Sequence, residues 1–225
     1  MLATADLPPV VLIGGLAVTM RTSAMGAAHR ATVDIDLVTI DAEPETIEVL
    51  ADAHGSSRQP LMIDGIKVDL IPTSPITDDD LDGLDDGDRL FVAGHRWAFE
   101  GGTPSRLAIS AAEPLHATVA TTHALVATKC HAIGYPTSRR RATKHASDLL
   151  DLFRLVELYN VRSELSRDLR AGPPGLARII ADIVHYEVIA KIDTAARQMS
   201  SMAPAPITAN SVLDVVGDFV DELRG

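Results

Sequence analysis

The sequence predicts an α+β protein with a mixed sheet in its N-terminal part and a helical C-terminal part. Three observations carry that reading. Before about residue 112, short runs rich in Val, Ile and Leu alternate with Gly, Asp and Pro turn signals. After it, apolar residues recur at the spacing of amphipathic helices. No internal repeat or long low-complexity linker interrupts either part. Two lobes are expected, residues 1–112 and residues 113–225.

Val10–Ile13 is an apolar run ending at Gly14-Gly15, and the small apolar residues of Leu16–Ala24 suit a short helix. Val33–Ile40 is β-branched and alternating, and reads as a strand. Glu43–His54 has helical spacing through Ile47, Leu50 and Ala51, with Asp41 as a cap. Leu61–Ile63 and Ile66–Ile71 flank Asp64-Gly65, a hairpin signal. Arg89–Val92, Arg96–Phe99 and Ser105–Ser110 read as further short strands. Pro114–Ile133 reads as a long helix, broken by Tyr135-Pro136-Thr137-Ser138. Arg139–Leu158 is amphipathic, with Leu149, Leu152, Phe153, Val156 and Leu158 on one side. Gly172-Pro173-Pro174 opens a helix to about residue 200, and Ala209–Leu223 forms the last one after Pro204 and Pro206.

With 46% hydrophobic and 23% charged residues in 225, the chain has a globular composition and enough length to bury a core. A single cysteine, Cys130, excludes a disulfide scaffold and a multi-cysteine zinc site. No apolar run reaches the roughly 18 residues needed to span a bilayer, and the first residues lack the basic start of a secretory signal. A reducing, cytoplasmic location is expected, with no membrane partner.

The net charge is −11, which argues against nucleic acid until its distribution is considered. Residues 1–128 carry 7 basic and 19 acidic groups, residues 129–178 carry 10 and 5, and residues 179–225 carry 3 and 7. The basic charge is therefore concentrated in one stretch, and a polyanion feels local charge within a Debye length. Arg139-Arg140-Arg141 with Lys144 is its densest part, suited to RNA phosphates.

Three features line up as candidate chemistry. Gly14-Gly15 follows a strand directly. Asp34 and Asp36 alternate in the next one, so their side chains share a face with Cβ atoms roughly 7 Å apart. Asp69 sits in the same alternation on a later strand, with Val68 and Leu70 packing behind it. Three carboxylates can hold one Mg²⁺, or two ions, because Mg²⁺ takes oxygen ligands and pairs a few carboxylates with substrate phosphates. The glycines let the backbone approach a triphosphate, and a helix starting there aims N–H groups at the anion.

Gly14-Gly15, Arg30-Ala-Thr-Val-Asp34-Ile-Asp36-Leu37 and Val68-Asp69 together resemble the nucleotidyltransferase superfamily of the DNA polymerase β type. Lys129, the Arg-rich turn and Ser147-Asp148-Leu-Leu-Asp151-Leu-Phe resemble, more narrowly, the AbiEii/MenT-like toxin nucleotidyltransferases. The likeness covers about residues 8–160. Ser147 stands where that family usually has Lys, and Lys144 lies close by as another source of charge.

The resemblance implies a two-lobed nucleotidyltransferase, with residues 1–112 as catalytic core and residues 113–225 as a helical lobe completing the nucleotide and acceptor site. Gly14, Gly15 and Arg30 would serve the triphosphate. Asp34 and Asp36 would hold Mg²⁺, with Asp69 as third ligand or as base for the attacking hydroxyl. Lys129 would meet the nucleotide phosphates, and Asp148 would be a second essential acid. Arg139, Arg140, Arg141 and Lys144 would hold the acceptor RNA. The implied reaction moves NMP from an NTP, a pyrimidine among the candidates, to the 3′ end of tRNA. The implied role is a translation-blocking toxin with a cognate antitoxin, and Thr32 would be a regulatory phosphorylation site. DNA is not an expected partner.

Alternatives remain within the same motif set: nucleotidylation of a small molecule of aminoglycoside type or of a protein hydroxyl, or an inactive nucleotide-binding module. Read without the resemblance, Asp148 and Asp151 are a helix-surface pair at i and i+3. Asp78-x-Asp80-x-Asp82-Gly83 imitates the start of a calcium loop, but Arg89 stands at its twelfth position, so a solvated acidic loop is expected instead. No dinucleotide fingerprint, H-E-x-x-H or G-x-S-x-G motif is present.

Overall fold

Strand β1 (Val10–Ile13) is exposed at its first residue and buried at the next three, and it runs into helix α1 (Gly14–Ser23) without a linker. The structure, a computed structural model, describes residues 9–23, 34–40, 61–63, 66–73, 77–107, 115–135 and 142–225. The expected helix 43–54 and the Asp64-Gly65 turn lie outside the described residues. The strands flanking that turn, β3 (Leu61–Ile63) and β4 (Ile66–Thr73), are antiparallel with Ile63 opposite Ile66.

The remaining strands are β2 (Asp34–Ile40), β5 (Thr103–Leu107) and β6 (Leu115–Val119). They form a six-stranded sheet in the order β3-β4-β2-β1-β6-β5. β2 is antiparallel to β1 and parallel to β4, and β6 is parallel to β1 and antiparallel to β5. The sheet is therefore mixed, and the chain is α+β as the sequence predicts. β6 lies beyond residue 112 and still sits in the sheet.

Three expectations are corrected. Residues 89–92 and 96–99 are not strands. They belong to helix α3 (Asp86–Glu100), which starts from the Asp85 side chain accepting from the Asp88 backbone N–H. Asp86 and Asp88 in its first turn suit the positive end of the helix dipole. Its buried face is Gly87, Leu90, Ala93, Gly94, His95 and Ala98, small residues that hide the helical period. Conversely, residues 115–119 are not the start of a helix but strand β6, with Val119 fully buried and His116 exposed. The acidic run near residue 80 is also not a loop. It is a helical turn, α2 (Asp78–Asp82), closed by a reciprocal cap between Thr77 and Asp80.

Helix α4 (Thr122–Gly134) is buried from Ala124 to Cys130 without a polar side turned to solvent. Such an all-round buried helix is central, and α4 packs against α1, α3, α5 (Ala142–Tyr159), α6 (Glu164–Arg170) and α7 (Leu176–Val184). On α5 the expected apolar stripe is buried at Leu149, Leu152, Phe153 and Val156. A wide turn at His185–Ile189 separates α7 from α8 (Ile192–Met202). The expected C-terminal helix is present as α9 (Ala209–Val212), a second wide turn at Leu213–Gly217, and α10 (Asp218–Arg224). Glu222 accepts hydrogen bonds from Asn160, Ser163 and Ser166 and ties α10 to the end of α5. Among the described residues no helix is long and apolar enough to cross a membrane.

Candidate metal centre and nucleotide pocket

The site begins where β1 turns into α1. Ile13 lies opposite Asp36 in the antiparallel register, so the chain passes directly over that carboxylate. Gly14 has a φ of +69°, a left-handed conformation that costs a side-chain-bearing residue energy. A Cβ there would also lie 1.9 Å from Asp36 Oδ2. Glycine is required at this position on two independent counts.

The parallel pairing of β2 with β4 sets Asp36 beside Asp69 and Asp34 beside Lys67. Because alternate residues share a face, all four side chains project together. One carboxylate oxygen from each of Asp34, Asp36 and Asp69 lies within 4.8 Å of the others, and all three residues are half-buried. This donor set fits a divalent ion of the magnesium type: hard oxygen ligands, few enough to leave room for water and phosphate. The cluster can hold a metal ion, with Asp34, Asp36 and Asp69 as ligands.

Among the described residues, two ammonium groups attend the cluster. Lys67 is hydrogen-bonded and ion-paired to Asp69. Lys144, from the first turn of α5, lies 3.7 Å from Asp34 Oδ2. Among the described residues, three acids and two bases leave an excess of negative charge. Burial raises the Asp36 pKa above the ordinary carboxylate range; Lys144 and Lys129 oppose that effect, and Asp34 and Asp69 add to it. Burial alone would lower the Lys67 pKa, but its hydrogen bond to Asp69 and the three carboxylate charges hold it above its ordinary value.

Behind this cluster lies a second, buried charge group. Lys129 on α4 is 3% exposed, and its ammonium lies 2.8 Å from Asp148 Oδ1 and 2.8 Å from Asp151 Oδ2, both on α5. Burial opposes the charge on Lys129, yet Asp151 and Asp148 outweigh it and raise its pKa. Asp148 and Asp151 are each 1% exposed, so the surface-pair reading is corrected: they are interior counter-ions, one turn apart, to a lysine on the neighbouring helix. Cys130, next to Lys129, is fully buried, as expected of a structural residue.

A cavity of about 210 Å³ connects the two groups. Gly14, Asp36 and Ile71 line it from the sheet, Phe91 and His95 from α3, and Lys129, His131, Lys144 and Asp148 from α4 and α5. His95 is held against Phe91, its ring Nδ1 2.6 Å from the Phe91 carbonyl oxygen. Burial pushes its pKa down to about 4, against a weaker upward pull from that hydrogen bond, so the ring is neutral near pH 7.

The structure thus brings Gly14, Gly15, Asp34, Asp36 and Asp69 to one place, and Lys129, Asp148 and Lys144 to the same cavity. Lys144, expected with the RNA-facing arginines, sits by Asp34. Arg30, Thr32, Arg139, Arg140 and Arg141 lie outside the described residues. Sequence reasoning missed Lys67, and it named Asp151 only in the α5 motif and as a surface pair with Asp148. Lys67 was readable, because it shares the alternation of Asp69 two residues on. Asp151's partner was not, because it comes from another helix. No family model matches the chain, and no curated protein matches it.

Proposed function

We propose that this chain is a Mg²⁺-dependent nucleotidyltransferase of the AbiEii/MenT-like kind, transferring NMP from an NTP to the 3′ end of tRNA as a translation-blocking toxin restrained by a cognate antitoxin. One observation carries the reading. Three carboxylates from two parallel strands converge within 4.8 Å, beneath a glycine whose backbone cannot carry a side chain. That arrangement holds a cation and admits a phosphate chain to the same point.

In this reading the acceptor hydroxyl oxygen attacks the α-phosphorus, a new O–P bond forms, the α–β bridging P–O bond breaks, and pyrophosphate leaves. Asp34 and Asp36 would hold the metal, with Asp69 as third ligand or as the base that takes the hydroxyl proton. Mg²⁺, when bound, supplies charge neutralisation at the phosphates and acidifies the hydroxyl. Gly14 and Gly15 admit the triphosphate to the start of α1. Lys144, half-exposed and 3.7 Å from Asp34 Oδ2, is suited to a phosphate oxygen. Lys129 supplies fixed positive charge from behind, its ammonium kept by Asp148 and Asp151.

The test is label transfer. Purified chain, Mg²⁺, total tRNA and each α-labelled NTP are resolved on a denaturing gel, with Asp36→Ala alongside. A labelled tRNA band lost in the variant supports the reaction and identifies the base. Transfer to protein or to a small molecule only would replace the tRNA assignment, and no transfer to any acceptor would leave a nucleotide-binding module.

A further inference from the structure

The polar half of the cavity is accounted for by the acids, the glycines and the lysines. Its other half is aromatic and has no role in the chemistry above. Phe91 on α3 stands 5.1 Å from the His131 ring on α4, centroid to centroid, and 4.2 Å from the His95 ring beneath it. His131 continues into Tyr135, with ring centroids 5.7 Å apart and planes within 21° of parallel. Tyr135 is 41% exposed, so the aromatic row runs from the interior to the surface. Phe91 and His131 line the same cavity as Asp36, and Ile71 lines it from the sheet.

We infer that this wall receives the base of the incoming nucleotide, which packs against Phe91 and His131 beside Ile71. The inference rests on the nucleotidyltransferase reading. Size agrees with it. Pockets for whole drug-sized ligands run about 300–1,000 Å³, whereas this one holds about 210 Å³. It has room for a nucleoside and not for an entire NTP, whose triphosphate would lie outside it along Gly14 and the acids. Chemistry agrees as well. The Phe91 and His131 planes are 60° apart, so a base would meet the face of one ring and pack beside the other, and an aromatic face recognises any base by its π surface. The neutral His95 ring braces Phe91 from below without adding charge to the stacking surface. The wall is held rigidly, since His95 is fixed to the Phe91 carbonyl and α4 is buried on all sides.

The experiment compares two ligands on the full chain by calorimetry in Mg²⁺: each of the four NTPs, and inorganic tripolyphosphate, which has no base. Phe91→Leu keeps apolar volume and removes the ring face, and Tyr135→Leu removes the outer ring without touching the interior. For Phe91→Leu, NTP affinity should fall about ten-fold, in the range set by base stacking on aromatic side chains, while tripolyphosphate affinity stays within two-fold. Tyr135→Leu should give a smaller loss of the same kind. Equal losses for NTP and tripolyphosphate, or no loss for either, would overturn the inference and leave the reaction itself untouched. Binding of neither ligand to the wild-type chain would overturn the nucleotidyltransferase reading and this inference with it.

Discussion

The chain builds two charge groups from the same residue types and uses them differently. The Asp34, Asp36 and Asp69 cluster is half-buried, stands on adjacent strands, and keeps an excess of negative charge beside Lys67 and Lys144. The Lys129, Asp148 and Asp151 group is buried between two helices, with its cation 2.8 Å from each carboxylate. Water and a diffusing ion can reach the first. The second has already met its partner. Like-charged acids held together at an accessible place are costly unless a ligand relieves them. A buried ion pair, by contrast, asks for nothing further and is expensive to break.

The comparison can be tested from its strongest point downward. Asp36→Ala should abolish label transfer by about 10³-fold or more, the scale of losing a preorganised electrostatic group, with thermal stability little changed. A large fall in melting temperature would mean that this cluster, too, is structural. Lys129→Met should act on stability first. Two interior carboxylates lose their counter-ion, and stability should drop by about 3–5 kcal/mol in chemical denaturation; a variant as stable as wild type breaks the contrast.

Acid should separate the two regions next. His95 is neutral in the fold with a pKa of about 4, below the ordinary 6.5. Between those values the unfolded chain binds a proton that the folded chain refuses, so stability falls as pH drops from about 6.5 to 4. The loss approaches about 3 kcal/mol at the lower end, and His95→Asn should remove that part of the slope in urea melts across the window. Metal affinity has a different origin. It should weaken as pH falls into the raised titration range of Asp36, and Mn²⁺ titration followed by electron paramagnetic resonance reads it directly. Gly14→Ala should cost about 1–2 kcal/mol of stability through its positive φ and should weaken Mn²⁺ binding by displacing Asp36. Unchanged Mn²⁺ binding in that variant would mean the strand end can shift freely. The smallest effect belongs to Lys67→Met. Its ion pair with Asp69 is partly exposed and worth under about 1 kcal/mol, but Mn²⁺ should bind a few-fold more tightly once the competing ammonium is gone.

Much of this was legible in the residues, and the parts that were not share a cause. Val33–Ile40 and the hairpin around residues 64–65 announced themselves because alternation is a local signal. Asp34 and Asp36 followed from it. Helix α3 was misread because its buried stripe is Gly87, Ala93, Gly94 and Ala98, while the conspicuous triplets Leu90-Phe91-Val92 and Trp97-Ala98-Phe99 imitate short strands. β6 was misread because Ala117 and His116 suggest a helix as readily as a strand, and its place beside β1 is decided by pairing across a hundred residues. The same limit hid the two facts that define the site: that Asp36 sits level with Asp69, and that Lys129 faces two acids on α5. Register and helix–helix docking are non-local, and spacing within one element does not encode them.

One helix serves both charge groups' neighbourhoods. Lys129 and His131 are two residues apart on α4, so the ion-paired turn and the aromatic turn are one mechanical piece. Any rotation of α4 that moved His131 would have to pull the ammonium off two buried carboxylates. The geometry offered to a ligand therefore inherits its stiffness from a salt bridge at the back of the same cavity.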